Sequence, residues 1–500
     1  IAAGKLLTFQ GGINIYSGTL ASPDAIDLGG SGDTLVSGNI FQSSTSGNRG
    51  VQVSNNGAGV TTFSGSNSYL GTTTASVGVL KLDSAYALPG GQLTISANGI
   101  VGLGAGNSSF TRAKGSGNGT VAWNGGGFAA YGADATVDFG GVGASGTVSM
   151  PDATLWSAAT ADKTVVFVNN WNLSTQPKTL TVNNGSADVD ARFAASVAGS
   201  GTGGFIKAGA GTLELTAVSG YSGTTSITAG QLRFSGTGGL SGTTGRVVIN
   251  GSGAELKWNS SAALGRPLTF TQGTLSGTGP ISALGGVTVG TNATLSPGNS
   301  PGSQAFTTGL TLAAGGSYLW EINDWTGSPG TAYDQLVVSG GPLDITATSG
   351  STFTINITSL TGSNVSGAVP NWSNTSKTFT IATALSGGGV TNFSADKFTL
   401  NSTQFGTQNP TATGTWSISN TGTTLLLNYT VGPTTTTGSY SLSASAGAAS
   451  IIVGGSSMIT ATLTNTGAGT ADTLNYSSLA VGNGVTISPA TGSSLGLGAS

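Results

Sequence analysis

Apolar residues fall at alternate positions in short runs along this chain, and glycines separate one run from the next. In Thr212-Leu213-Glu214-Leu215-Thr216 and Gln231-Leu232-Arg233-Phe234 the alternation has the period of a β-strand, which predicts that Leu213, Leu215, Leu232 and Phe234 face inward together. A short strand with one apolar face is not stable alone. Stacked on others about 4.8 Å apart, it buries a continuous apolar column and pairs its backbone edges. Glycine-rich corners admit positive φ and let the chain turn sharply into the next side of a coil. The pattern therefore predicts an all-β solenoid of three-sided coils, with about 14 coils over the first 295 positions making a rod on the order of 65 Å long.

Self-similarity supports the same prediction. Residues 57–82 lie without gaps over residues 209–234, placing Tyr69 over Tyr221, Gly71-Thr72-Thr73 over Gly223-Thr224-Thr225, Gly78 over Gly230 and Leu80 over Leu232. Each copy reads as strand, turn, strand, turn, strand. After Pro433 the run Thr434-Thr435-Thr436-Thr437-Gly438 reads as a linker, and Ile451-Ile452-Val453, Met458 to Asn465 and Val485-Thr486-Ile487 alternate in the manner of an antiparallel sandwich. Four segments are thus expected: a parallel β-helix over 1–295, a β-rich C-terminal part or cap over 296–432, a linker over 433–438, and a partial Ig-like β-sandwich over 439–500.

Composition narrows the chemistry. Of 500 residues 86 are glycine, 37% are hydrophobic and only 7% are charged, a profile of frequent turns around a thin but real core rather than of a disordered tract. With 15 basic and 18 acidic residues no basic stripe is available to neutralise a phosphate backbone, so nucleic acid is not an expected partner. The sequence has no cysteine and no histidine, which removes disulfides, thiolate or imidazole metal ligands and histidine-based triads. No run of about 18 apolar residues occurs, so this segment is not expected to insert in a membrane. The opening Ile1-Ala2-Ala3-Gly4 and the closing Gly/Ser-rich residues suggest a fragment of a longer protein, with any signal peptide, anchor or barrel elsewhere.

The frame GAGTLEL…YSGTTSITAGQLRFSG, with SYLGTTTASVGVLKLDSAYALPGGQLTI at 68–95, resembles the autotransporter-associated β-strand repeat of bacterial passenger proteins. Thr294 to Gly302, which contains PGNSPG, resembles the turn that follows such repeats. Residues 318–340, 396–405 and 414–430 are similar to the C-terminal part of the same proteins. The resemblance implies a right-handed parallel β-helix, export and surface or matrix display, and it carries no catalytic residues. The expected function is a non-catalytic extracellular stalk or adhesin-like scaffold without cofactor or metal. The partners it leaves room for are surface glycans or matrix polysaccharide. The alternatives are a carbohydrate-binding module, suggested by eight tryptophans, and a polysaccharide lyase or hydrolase.

Two constellations bear on those alternatives. In Asp188-Val189-Asp190-Ala191-Arg192 the i, i+2, i+4 spacing on a strand would turn both carboxylates and the guanidinium to one side, as a glycan-cleaving site requires. The competing reading is three outward charges alternating with inward Val189 and Ala191. Glu321, Asp324 and Asp334 beside Trp320, Trp325 and Tyr333 suggest a carboxylate pair with a sugar-stacking platform or a calcium site. The competing reading is an aromatic cover over the end of the solenoid. The stretch Gly199 to Gly204 lacks the Lys-Ser/Thr of a phosphate loop and reads as a turn. Four or more charges from neighbouring coils meeting in one groove would favour an enzyme, and coplanar exposed tryptophans would favour glycan binding.

Overall fold

A computed structural model describes residues 1–15, 25–43, 49–54, 59–199, 202–241 and 244–432, together with two strand backbones at 440–446 and 459–465. The chain divides into two compact units, one of residues 1–412 and 416–430 and the other of 413–415 and 431–500.

In the first unit nearly every strand pairs in parallel with the strand one coil later. The regular three-sided form is clearest from residue 153, where one coil contributes Ala153–Trp156, Val165–Phe167 and Asn170–Asn172. The next contributes Lys178–Val182, Ala191–Phe193 and Val197–Ala198, followed by Phe205–Ala208, Thr212–Leu215 and Val218–Ser219, then Thr225–Ile227, Gly230–Gly236 and Gly239–Leu240. Leu155 lies opposite Thr181, Thr181 opposite Ala208, Val166 opposite Arg192, and Glu214 opposite Arg233. Sequence alternation becomes inside and outside: Leu213, Leu232 and Phe234 have no accessible surface and Leu215 has 1%, as the pattern predicts.

The two internal copies show what one repeat encodes. In the first, Val60 lies opposite Val79 and Phe63 opposite Leu82; in the second, Thr212 lies opposite Gln231 and Leu215 opposite Phe234. The two ends of a copy are therefore neighbours in the stack, so one copy closes one coil upon itself. The identical residues hold its corners. Buried Tyr69 and Tyr221 each share a hydrogen bond with the threonine four residues on, Thr73 and Thr225, at 2.5 Å in both copies. Gly78 and Gly230 occupy the same corner with φ of +73° and +61°.

Between residues 110 and 193 the interior is aromatic. Trp123, Phe139, Trp156, Phe167, Trp171 and Phe193 succeed one another across coils with ring centroids 4.1–6.1 Å apart, in the edge-on and offset arrangements that aromatic quadrupoles favour. Parallel stacking continues past position 295: Ala293–Pro297 pairs with Ser317–Ile322, that strand with Phe353–Ser359, and that one with Phe398–Asn401. Coils lengthen here, and antiparallel pairing enters where Lys377–Ala384 meets Thr424–Thr430. A six-residue α-helix, Thr403–Gln408, buries Phe405.

In the second unit Tyr440–Ala446 and Ile459–Asn465 pair antiparallel. The proposed strands at 451–453 and 485–487, and the linker at 433–438, lie outside the described residues.

Candidate functional site

The structure separates the members of the first constellation. The chain bends at residues 186–188 and again at 190, and the strand begins only at Ala191, so the i, i+2, i+4 geometry of a continuous strand does not apply. Val189 and Ala191 are buried as expected, but Asp190 is buried too. Its Oδ1 accepts hydrogen bonds from the Gly185 amide at 2.7 Å and the Ser157 hydroxyl at 3.3 Å, and its Oδ2 accepts one from the Thr212 amide at 2.8 Å. Asp190 is thus a bracket joining adjacent coils, which corrects the expectation that it turns outward with Asp188 and Arg192. Asp188 remains on the surface, where the Arg233 guanidinium donates to it at 2.7 and 3.3 Å and holds its carboxyl below the usual range.

Stacking assembles a larger charged group that linear reading missed. Arg192, Glu214, Arg233 and Lys257 lie opposite one another on four successive strands. Arg192 Nε donates to Glu214 at 2.5 Å, and Ser235 donates to the other Glu214 oxygen at 2.8 Å. Glu255 accepts from Gln231 at 2.8 Å and from Ser276 at 2.5 Å. Charges from neighbouring coils do gather, as the enzyme reading asked, but as a ladder along a strand face in which each carboxylate is engaged by a cation or a hydroxyl. General acid or base work needs a carboxyl presented to substrate, and an ion pair of this kind supplies alignment between coils instead. The only sequence signal was charge recurring at the coil length, which becomes visible once the coil length is known.

The second constellation also splits. Asp334 is fully buried; its two oxygens accept from the amides of Gly302, at 2.7 Å, and Glu321, at 3.0 Å, tying the PGNSPG turn to the strand of Glu321. Burial, reinforced by neighbouring Glu321, pushes the Asp334 carboxyl well above the ordinary range, and burial raises Glu321 as well. Asp324 stands apart on the surface, where it accepts from Asn371 at 3.0 Å and from the Thr326 amide and hydroxyl at 2.9 Å. These bonds, that from Asn371 foremost, keep it below the usual carboxylate range. Among the described residues no group of three or more acidic side chains is placed to hold a metal ion.

The aromatic members are interior. Trp320 and Trp325 are 0% and 2% exposed, and Trp320 Nε1 donates to the Asp334 carbonyl at 3.0 Å. Trp123, Trp156, Trp171 and Trp258 are buried as well, and Trp372 and Trp416 are half-buried in a cluster with Trp325, Phe405 and Tyr429. A flat tryptophan platform for sugars is not formed by these rings.

Parallel coils with glycine corners around an apolar interior define an all-β repeat protein of the solenoid class. Within it, the passenger-associated-transport-repeat family model matches residues 56–82 and 205–234, the two stretches that each close a coil. The chain carries that repeat at two places, and the resemblance to autotransporter-associated β-strand repeats of passenger proteins is borne out over them. No curated protein matches the chain. No helix among the described residues is long and apolar enough to cross a membrane.

Proposed function

We propose that the chain is a non-catalytic extracellular scaffold, a stalk that carries what is attached to it away from a bacterial surface. The observation that carries this reading is the coincidence of the two passenger repeats with single coils in one continuous parallel stack. About 15 coils at about 4.8 Å each span on the order of 70 Å, held together by contacts between neighbours. The winding is right-handed, as the passenger resemblance implies and as parallel crossover connections favour. Residues 296–432, with their long coils, antiparallel strands and aromatic cluster, act as the C-terminal cap that protects the open end of the column. The antiparallel pair of Tyr440–Ala446 and Ile459–Asn465 supports the start of a sandwich-type module after the linker.

The test has two arms. The purified chain, incubated with a panel of plant, algal and bacterial polysaccharides, is expected to release no reducing ends or unsaturated products. Protease treatment of intact producing cells is expected to strip the chain from them. Sustained glycan cleavage, or complete protection of the chain in intact cells, would overturn the proposal.

A further inference from the structure

The chain has six arginines, and two of them serve the buried tyrosines of the two passenger repeats. In the second repeat the Thr225 amide donates to the Arg246 carbonyl and the Val247 amide to the Pro267 carbonyl, so the corners at 221–225, 245–247 and 266–267 lie on three successive coils. Arg266 comes from the third. It has no accessible surface, and its guanidinium reaches back across the second corner to the first. Nη2 donates to the carbonyls of Tyr221 and, at 3.0 Å, Ser241, and Nη1 donates to that of Gly223 at 3.3 Å. The group also lies 4.8 Å from the centre of the Tyr221 ring, within reach of its negative face. Glycine at 245 leaves the path open: a Cβ there would lie 2.8 Å from Arg266 Nη1 and 2.3 Å from the Gly223 carbonyl oxygen.

The first repeat follows the same plan around Tyr69. The Thr73 amide donates to the Gln92 carbonyl and the Leu93 amide to the Thr120 carbonyl, again setting three corners in succession, and half-buried Arg112 leads into the third. Its Nη1 donates to the Gly91 carbonyl at 2.7 Å, and its Nη2 to the carbonyls of Leu88, at 3.1 Å, and Pro89. Its charge reaches Tyr69, opposing the rise that burial imposes on that hydroxyl, as the Arg266 charge does at Tyr221. The six carbonyls engaged by the two arginines lie in corners outside the strands, where ladder pairing leaves acceptors over. Among the described residues neither guanidinium pairs with a carboxylate. Burying such a cation is costly unless its donors are met, so each arginine needs the earlier corners in place, and those corners obtain their donors only from a coil that comes later in the chain.

We propose that the tyrosine corner of each passenger repeat is a latch, closed by an arginine supplied from two coils further on. The coil of the repeat provides the ring and the tyrosine–threonine bond; the arginine adds a tie across the coil between. A stack latched in this way does not peel back through a repeat one coil at a time. The aromatic column from Trp123 to Phe193 lies between the two latches, in a stretch that neighbour packing holds. This inference goes beyond the scaffold reading and is independent of it.

The test is native-state hydrogen exchange, read by mass spectrometry on the full chain and its variants. Arg266→Met is expected to speed exchange at least tenfold in residues 203–227, two coils before the substitution, and Arg112→Met to do the same in residues 60–75. Arg266→Lys keeps the charge but not the planar fork that holds carbonyls on two coils, and it is expected to open residues 203–227 as well. Arg112→Met, at a half-buried position, decides the matter if the buried Arg266→Met chain does not fold. Faster exchange confined to the substituted coil and its immediate neighbour, with the tyrosine corner as protected as in the unaltered chain, would overturn the proposal, and so would full protection restored by the lysine.

Discussion

Single residues inside the column show how this fold treats polar groups. Lys207 has no accessible surface, and its Nζ donates to the carbonyls of Ala208, Gly209 and Ala229 at 2.8–3.0 Å, closing a corner between adjacent coils. Phe205 and Lys207 are the buried positions of one strand, Phe205–Ala208, and one of the lysine's acceptors lies a coil away. Burial pulls its ammonium down to about 7 from the ordinary 10.5. Between those two values the unfolded chain holds the proton more tightly than the folded one, so stability should rise with pH across that window. Burial raises Tyr131 to about 12 and raises Tyr69 and Tyr221 further, so tyrosine ionisation opposes the trend only above about pH 10. The expected gain from pH 7 to pH 9.5 is on the order of 2–3 kcal/mol, since a tenfold difference in proton affinity between the folded and unfolded chain corresponds to about 1.4 kcal/mol. Denaturant titrations at pH 7, 8 and 9.5 measure it. Lys207→Met should flatten the rise, and an unchanged slope in that variant would refute the assignment.

At the scale of the element, the coil is set by its corners as much as by its strands. A Cβ at Gly230 would lie 2.5 Å from the carbonyl oxygen of Gly209, in a conformation with φ of +61° that non-glycine residues adopt at a cost. Gly230→Ala is therefore expected to destabilise the coil by about 2–3 kcal/mol through strain and backbone clash together. Serine to alanine at exposed Ser252 should be nearly neutral. Thermal unfolding of the two variants side by side checks the contrast. What the sequence made legible follows from the same physics. Period-two alternation and recurrent glycine exposed the strands, the inward Leu213, Leu215, Leu232 and Phe234, and the equivalence of the two copies. Illegible were contacts set by stacking: Asp190 looked like an outward charge because the bends just before Ala191 were invisible, and Glu214, Arg233 and Lys257 joined Arg192 only through strand register. Glu321 and Asp334 were correctly placed together, but the sequence could not show that Asp324 belongs to another turn.

For the stack as a whole, stability is the sum of coil and interface contributions, and cooperativity depends on every interface being strong enough to transmit unfolding to the next. The aromatic column around Trp156 is where many interior contacts converge, since this side chain touches Trp123, Phe128, Phe167, Trp171 and Phe193 on coils before, within and after its own. Trp156→Ala removes a fully buried ring from that junction, at a cost of about 3–5 kcal/mol. In a globular core such a loss lowers one melting transition. In a solenoid it weakens the coupling between the coils on either side, which retain their own neighbours and can then melt apart. Differential scanning calorimetry of the variant should show the heat absorption of residues 1–432 broaden or divide into two transitions, with the total enthalpy nearly conserved. Limited proteolysis near the lower transition should cut first within residues 121–193. A single transition, shifted but equally sharp, would mean that the coils communicate through something other than nearest-neighbour packing, and the stacked-coil account of stability would have to be abandoned.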